Sequence, residues 1–367
     1  MRRIKVRDLL GSTPRPDRVL LYSIWFRDHN NPRYAELLPR LDRLDACLLQ
    51  IPSSATARRL AYYSFQGVRR PGHRLLLGAA ASRRYRSLLT LDFDQLAVWP
   101  GAAVMDADDP FFTAREVELL NRPALKAYVV TAEHAARRYE SLGVDKPWVV
   151  IPQGVNLAAR TCEVRRVAAA QRHSGDLVVG WMAAHLLTDG DRDADNPLYN
   201  IDHLLELWDA IHARVPGARL WLVGGPSERV TARLSRRDDI RLFGRLTRER
   251  ALAVASCFDL APYARTADQG VRAAKVSELI GLGVPMVSYD YEVTANLRET
   301  GAGVLVADAR AFVDAVVHLL TDDAARAELA EAARRAGREL DWRVLAQRYA
   351  DEVLSVYLPP GLPELVS

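Results

Sequence analysis

Lys275 and Glu278 stand three positions apart in the stretch DQGVRAAKVSELIGLGVPMVSYD, residues 268–290. A polar, glycine-containing loop there leads into a short helix, and Val284–Ser288 reads as the buried strand that follows. On a helix, residues three apart share a face, so the amine and the carboxyl project together from its first turns. The N-terminus of such a helix carries unpaired N–H groups and the positive end of its dipole, which suits a diphosphate. A lysine adds a mobile positive charge, and a carboxylate one turn on can accept hydrogen bonds from ribose hydroxyls. These are the parts needed to hold a nucleotide-sugar. The plainer reading is a surface ion pair, contributing a few tenths of a kcal/mol. Only four of the 50 basic residues are lysines (Lys5, Lys126, Lys146, Lys275), so a lysine at 275 runs against the chain's preference for arginine.

Two further clusters lie at strand ends. Met105-Asp106-Ala107-Asp108-Asp109-Pro110 follows a predicted strand, and Asp106 is the candidate there for contacting acceptor hydroxyls or acting as a base. The simpler account is helix capping by Asp108 or Asp109 in a solvated loop. His29, Asn30 and Asn31 follow the first long strand, at the end where α/β sheets bind ligands; an Asn-Pro turn is the alternative. The aspartates of TDGDRDADNP (residues 188–197) read as a solvated loop, and no metal site is expected. No Gly-x-Ser-x-Gly elbow or His-Glu-x-x-His helix is present, which removes the common hydrolase readings.

The elements that must position these residues alternate in type. Strands are predicted at 19–24, 47–51, 97–99, 102–105, 127–131 and 149–151, with helices at 114–120 and 133–142. Residues 33–44 have helical spacing interrupted by Pro39. Residues 157–175 lack a strand pattern and read as a connection. Strands then recur at 177–181, 218–223, 240–243, 258–263, 284–288 and 304–306. An amphipathic helix at 201–214 carries Leu204, Leu205, Trp208 and Ile211 on one face, and another is predicted at 248–256. The expected fold is α/β: two Rossmann-like, doubly wound domains facing each other across a cleft. Their predicted bounds are 1–160 and 176–340, with a C-terminal helix in 341–367 returning toward the first domain. A length of 367 residues favours two cores over one.

Composition limits the partners. A net charge of +4 from 50 basic and 46 acidic residues lacks the basic stripe that nucleic acid requires. It allows at most a mild preference for anionic ligands or for peripheral contact with a membrane face. Three cysteines, Cys47, Cys162 and Cys257, show no CxxC spacing, predict neither disulfide nor zinc, and suit a reducing cytoplasm. No apolar run approaches the ~20 residues that span a bilayer, and no secretory leader is expected.

With these elements placed, the chain resembles the GT-B glycosyltransferases, particularly glycosyltransferase family 4 (group 1), most clearly over about residues 125–350. VVTAEHAARRYESLGVDKPWVVIPQGVN resembles the helix and "VIPNGV" turn that end that family's first domain. GARLWLVGGPSE, IRLFGRLTRERALAVASCFDLAPY, KVSELIGLGVPMVSYD and ETGAGVLVAD follow in the family's order. The resemblance implies transfer of a sugar from a nucleoside-diphosphate-sugar donor to an acceptor hydroxyl on a glycan, a lipid-linked sugar or a small molecule. It further implies retention of anomeric configuration, with neither cofactor nor metal. Its donor-side residues would be Arg245, Asp268, Gln269, Gly270, Arg272, Lys275 and Glu278, with Arg265 as a further candidate. His29, Asn30 and Asp106 would lie on the acceptor side. Lys275 would stabilise the leaving diphosphate, and Asp106 would be the base if the outcome were inverting.

Three departures from the family pattern matter. Gly270 stands where a glutamate is usual, eight positions before Glu278. Gly180-Trp181-Met182-Ala183 and Tyr199-Asn200 replace the customary arginine and lysine after the first strand of the second domain. RDHNNP replaces a glycine-rich loop in the first. They keep open two other readings: a non-catalytic sugar-nucleotide-binding or partner-binding protein, and a nucleotide-sugar epimerase.

Overall fold

A computed structural model of the chain describes residues 1–3, 5–9, 13–23, 33–48, 78–108, 110–158, 162–172, 175–192, 199–266 and 274–360. It divides into two compact units: Met1–Pro152 with Trp342–Ser367, and Gln153–Asp341.

The first unit is built on a seven-stranded sheet. Its strands are β1 (Arg2–Arg3), β2 (Val19–Ser23), β3 (Leu44–Leu48), β4 (Ser87–Thr90), β5 (Ala102–Ala107), β6 (Leu125–Val130) and β7 (Trp148–Val150). The order is β1-β3-β2-β4-β5-β6-β7, and every pairing is parallel. A parallel sheet of this kind is covered on both faces, which is why its strands read as near-continuous apolar runs. Two apolar clusters form those faces. Ala103, Met105 and Ala107 of β5 belong to one, with Tyr128, Tyr139 and Leu120. Val104 points into the other, with Leu37, Leu38, Trp342, Leu345, Tyr349 and Leu354. Because side chains alternate along a strand, Asp106 falls on the same side as Val104, beneath the C-terminal helical segment Trp342–Tyr357.

The second unit carries two three-stranded parallel sheets. The first, in the order β10-β9-β8, comprises β8 (Leu177–Leu186), β9 (Ala218–Pro226) and β10 (Ile240–Leu242). The second, in the order β11-β12-β13, comprises β11 (Ala261–Tyr263), β12 (Met286–Tyr289) and β13 (Gly303–Val306). A parallel bridge between Val179 and Leu260 joins them, and Gly180 N donates to Leu260 O at 2.9 Å. Gly180 is required by this junction: a Cβ there would lie 2.1 Å from the Phe258 ring. Each unit is therefore a Rossmann-like layered α/β assembly.

Several local expectations need correction. The run at 97–99 is not a strand; those residues follow the short helix Phe93–Leu96, and the strand lies earlier, at β4. The second long strand starts earlier than expected, at Leu44, and is described to Leu48; residues 49–51 lie outside the described residues. The helix expected over 33–44 is only a π-helical turn, Arg33–Leu37, and a 3-10 turn, Leu38–Arg40, in which Pro39 sits at the start, where its missing N–H costs nothing. The final helix is regular over Trp342–Arg348, widens to π geometry over Tyr349–Leu354, and closes with Ser355–Tyr357.

Candidate active site

The helix bearing Lys275 and Glu278 runs Ala274–Leu282, and all residues from Val276 to Leu282 are buried. Its C-terminal end explains the Gly-Leu-Gly sequence. Gly283 adopts φ +75°, the left-handed cap, with Gly283 N donating to Ile280 O at 2.8 Å and Val284 N to Leu279 O at 3.0 Å. Those two bonds form a Schellman motif. Gly281 has a different task. A Cβ on it would come within 2.1 Å of Val155, and a Cβ on Gly337 would meet the Gly281 carbonyl oxygen at 2.7 Å. The Lys275 helix thus packs backbone to backbone against the Asp323–Glu339 helix.

A helix this deeply packed excludes the surface ion-pair reading. Glu278 is 6% exposed, and its salt bridge is to Arg248, on the Arg248–Ala255 helix, rather than to Lys275. Burial raises the Glu278 carboxyl above its ordinary value, opposed by Arg248 and Lys275. Lys275 is half-buried, and its Nζ lies 5.3 Å from the centroid of the Trp181 ring. Trp181, on β8, stacks with Tyr263 of β11 at 5.8 Å and 26° between planes. Arg265 completes the series: its Cζ lies 5.6 Å from the Tyr263 ring centroid, and its Nη1 donates to the Tyr263 hydroxyl at 2.8 Å. Burial first, and the charge of Arg265 second, pull the Lys275 amine down to about 8, while Glu278 acts upward.

Arg248 and Lys275 therefore flank the Glu278 carboxylate on a buried helix, and Arg265 lies near the Lys275 amine. Such a constellation favours an anion with several oxygens: the ammonium is a compact charge, and a guanidinium offers a planar fork. Arg245 is exposed, lies beside Gly225 at the end of β9, and forms no salt bridge among the described residues. Asp268, Gln269, Gly270 and Arg272 lie outside the described residues, as do His29 and Asn30.

In the first unit Asp106 is wholly enclosed. Arg33 Nη1 lies 3.3 Å from its Oδ2, and the Tyr349 hydroxyl donates to the same oxygen at 3.1 Å. Arg33 also donates to the carbonyl of Ile151. Burial raises the Asp106 carboxyl to about 7, with Asp108 acting in the same direction and Arg33 and Tyr349 opposing. A carboxylate sealed in this way links a strand, a turn and the C-terminal helix, and presents no surface to a substrate in this conformation. Asp108 does not cap a helix. The Ala114–Leu120 helix is capped by Thr113 in a capping box with Glu116.

Arg248, Trp181 and Tyr263 were not singled out from the sequence as site partners. Arg248 opens a helix after the "f.G" turn, and its partnership with Glu278 spans 30 positions. Trp181 lies in the run Gly180–Ala183, whose departure from the family pattern was visible in the sequence. No helix among the described residues is long and apolar enough to cross a membrane. None of the described His, Cys, Asp and Glu residues form a group of three or more suited to a metal ion.

Comparison with known proteins agrees with this geometry. Residues 192–322 match the family model described as glycosyl transferases group 1, a segment holding Lys275, Glu278, Arg248 and Arg265. The fold is that of the GT-B class, and the matched segment resembles group 1 glycosyltransferases. Among solved structures, Anabaena HepE in complex with UDP and glucose superimposes with TM-score 0.65 at 16% identity, covering 92% of this chain and 100% of that one. Sucrose-phosphate synthase from Thermosynechococcus elongatus gives 0.64 at 14% identity, covering 92% and 98%. WaaG, a glycosyltransferase involved in lipopolysaccharide biosynthesis, gives 0.61 at 13% identity, covering 91% and 99%. Likeness at these identities is likeness of fold. No curated protein matches by sequence.

Proposed function

We propose that the chain transfers a hexose-type sugar from a nucleoside-diphosphate donor to an acceptor hydroxyl, with retention, in the assembly of a glycan or glycolipid. The observation that carries this reading is the grouping of buried charge on the Ala274–Leu282 helix. Glu278 is paired with Arg248 and flanked by Lys275, the amine of Lys275 lies near Arg265, and that helix lies in the segment matching group 1 glycosyltransferases. HepE, of the same fold, was solved with UDP and glucose, which supports a ligand of this class.

As the donor bond breaks, negative charge grows on the departing diphosphate. A protonated Lys275, Arg265 and the helix N-terminus stabilise that charge more in the transition state than in the ground state, which is what accelerates the step. Glu278, fixed by Arg248, retains acceptor capacity for ribose hydroxyls. Charge neutralisation is assigned here to side chains, and no divalent cation is invoked. Because the amine titrates near 8, its positive form dominates below that pH and is lost above it; bound diphosphate favours the charged form.

The test is calorimetry of nucleoside diphosphates on the wild type and Lys275→Ala, after a thermal-shift screen of UDP-, GDP- and dTDP-sugars selects the base. Lys275→Ala should weaken binding by about 1–3 kcal/mol, the range for a lost charged hydrogen bond. Equal affinities would remove Lys275 from the donor site.

A further inference from the structure

We infer that Trp181 is a positioning residue for Lys275: its indole face seats the ammonium and holds it toward the diphosphate. The diphosphate part of this assignment rests on the donor reading above; the contact between ring and amine does not. Trp181 lies outside the segment matched by the family model, in the run Gly180–Ala183 that departs from the family pattern.

Three observations support it. Nζ lies 5.3 Å from the ring centroid, within the distance at which an aromatic face attracts a cation. The ring is held rigidly: Trp181 is 3% exposed, stacks on Tyr263, and follows Gly180, which is pressed against Phe258. The indole Nε1 is buried without a hydrogen-bond partner among the described residues. A buried, unpaired N–H is a cost, so filling space does not account for tryptophan here; leucine or phenylalanine would fill it without that cost. What tryptophan adds is the most cation-attracting face of any side chain.

Without a compensating face, the amine would suffer burial and the repulsion of Arg265. The other groups acting on it are Glu278, already paired with Arg248, and the adjoining hydroxyl of Tyr263 is engaged by Arg265. A cation–π contact favours the charged amine, so its removal should lower the pH at which Lys275 loses its proton.

The experiment is titration of the ligand-free full chain by NMR of lysine labelled with 13C at Cε. There are four lysine signals, and that of Lys275 is the one missing from Lys275→Arg. Trp181→Leu should lower the Lys275 midpoint by about half to one pH unit, and Trp181→Phe should lower it less. Nucleoside-diphosphate affinity of Trp181→Leu should then fall about threefold to tenfold just above the wild-type midpoint and recover toward wild type at lower pH. Fluorinated tryptophan, incorporated at all positions, keeps the ring's shape while draining its face, so it tests the same contact if Trp181→Leu fails to fold; the midpoint should drop with fluorine content. An unchanged midpoint in Trp181→Leu or in the fluorinated protein would overturn the inference, as would equal shifts in the Leu and Phe variants. A midpoint that follows the ring while Lys275→Ala leaves diphosphate affinity intact would preserve the contact and sink the donor reading instead.

Discussion

In the first unit one guanidinium, Arg33, faces one carboxylate, Asp106, and both are sealed from solvent. In the second, Arg248 and Lys275 flank one carboxylate, Glu278, Arg265 lies near the lysine, and the lysine keeps part of its surface open. The Asp106 cluster is closed. Its members come from a strand, an irregular turn and the C-terminal helix, so its effect is to tie those elements together. The Glu278 cluster is open on its lysine side, where an anion can meet the amine. Exposure of one cation separates the two, although both contain side chains less than a tenth exposed.

The contrast predicts that substitutions in the two clusters change different measurements. Arg33→Met should have the largest effect on stability, about 3–5 kcal/mol in urea unfolding, because it removes one partner of a buried pair. It should leave nucleoside-diphosphate affinity unchanged. A large loss of affinity with normal stability would erase the distinction. Lys275→Ala, expected to cost about 1–3 kcal/mol of affinity, should show the reverse, with little loss of stability.

The next effect is one of pH. Burial lifts the folded-state value of Asp106 to about 7, above the ordinary carboxylate range. A group raised on folding contributes stability that is complete below its unfolded value and declines as pH rises through its folded value. Wild-type stability relative to Asp106→Asn should therefore fall between about pH 4 and pH 7. Chemical denaturation at several pH values checks this, and the opposite slope would mean that Arg33 outweighs burial. If Asp106 instead served as a base on an exposed acceptor, Asp106→Asn would abolish turnover at every pH without altering the slope. The smallest effect belongs to Tyr349→Phe, which removes one hydrogen bond to Asp106 and should cost about 1 kcal/mol. A neutral result would show that Arg33 alone holds the carboxylate.

The alternating strands and helices were legible because buried parallel strands leave continuous apolar runs. The exceptions follow physical rules. Ala97–Trp99 resembles a strand by composition, yet it follows a helix that ends at Leu96, whereas β4 is only four residues long and follows a run of arginines. The pairing of position 275 with position 278 was read from helical spacing, and the spacing held. What spacing cannot provide is the third dimension: Arg248 reaches Glu278 from another helix, and Tyr349 reaches Asp106 from 243 positions away. The tryptophan after Gly180 was visible as part of a run that departs from the family pattern, but its role depended on knowing which amine lay over its ring.

The glycines at 281 and 337 give the nine-residue Lys275 helix a fulcrum at its tail. A rod of that length spans roughly 13 Å, so any side chain wedged beneath the tail would swing the head through a comparable arc. The amine would lose its aim although nothing near it had been altered, and damage there would register as poor grip on the leaving group rather than as a fault in packing.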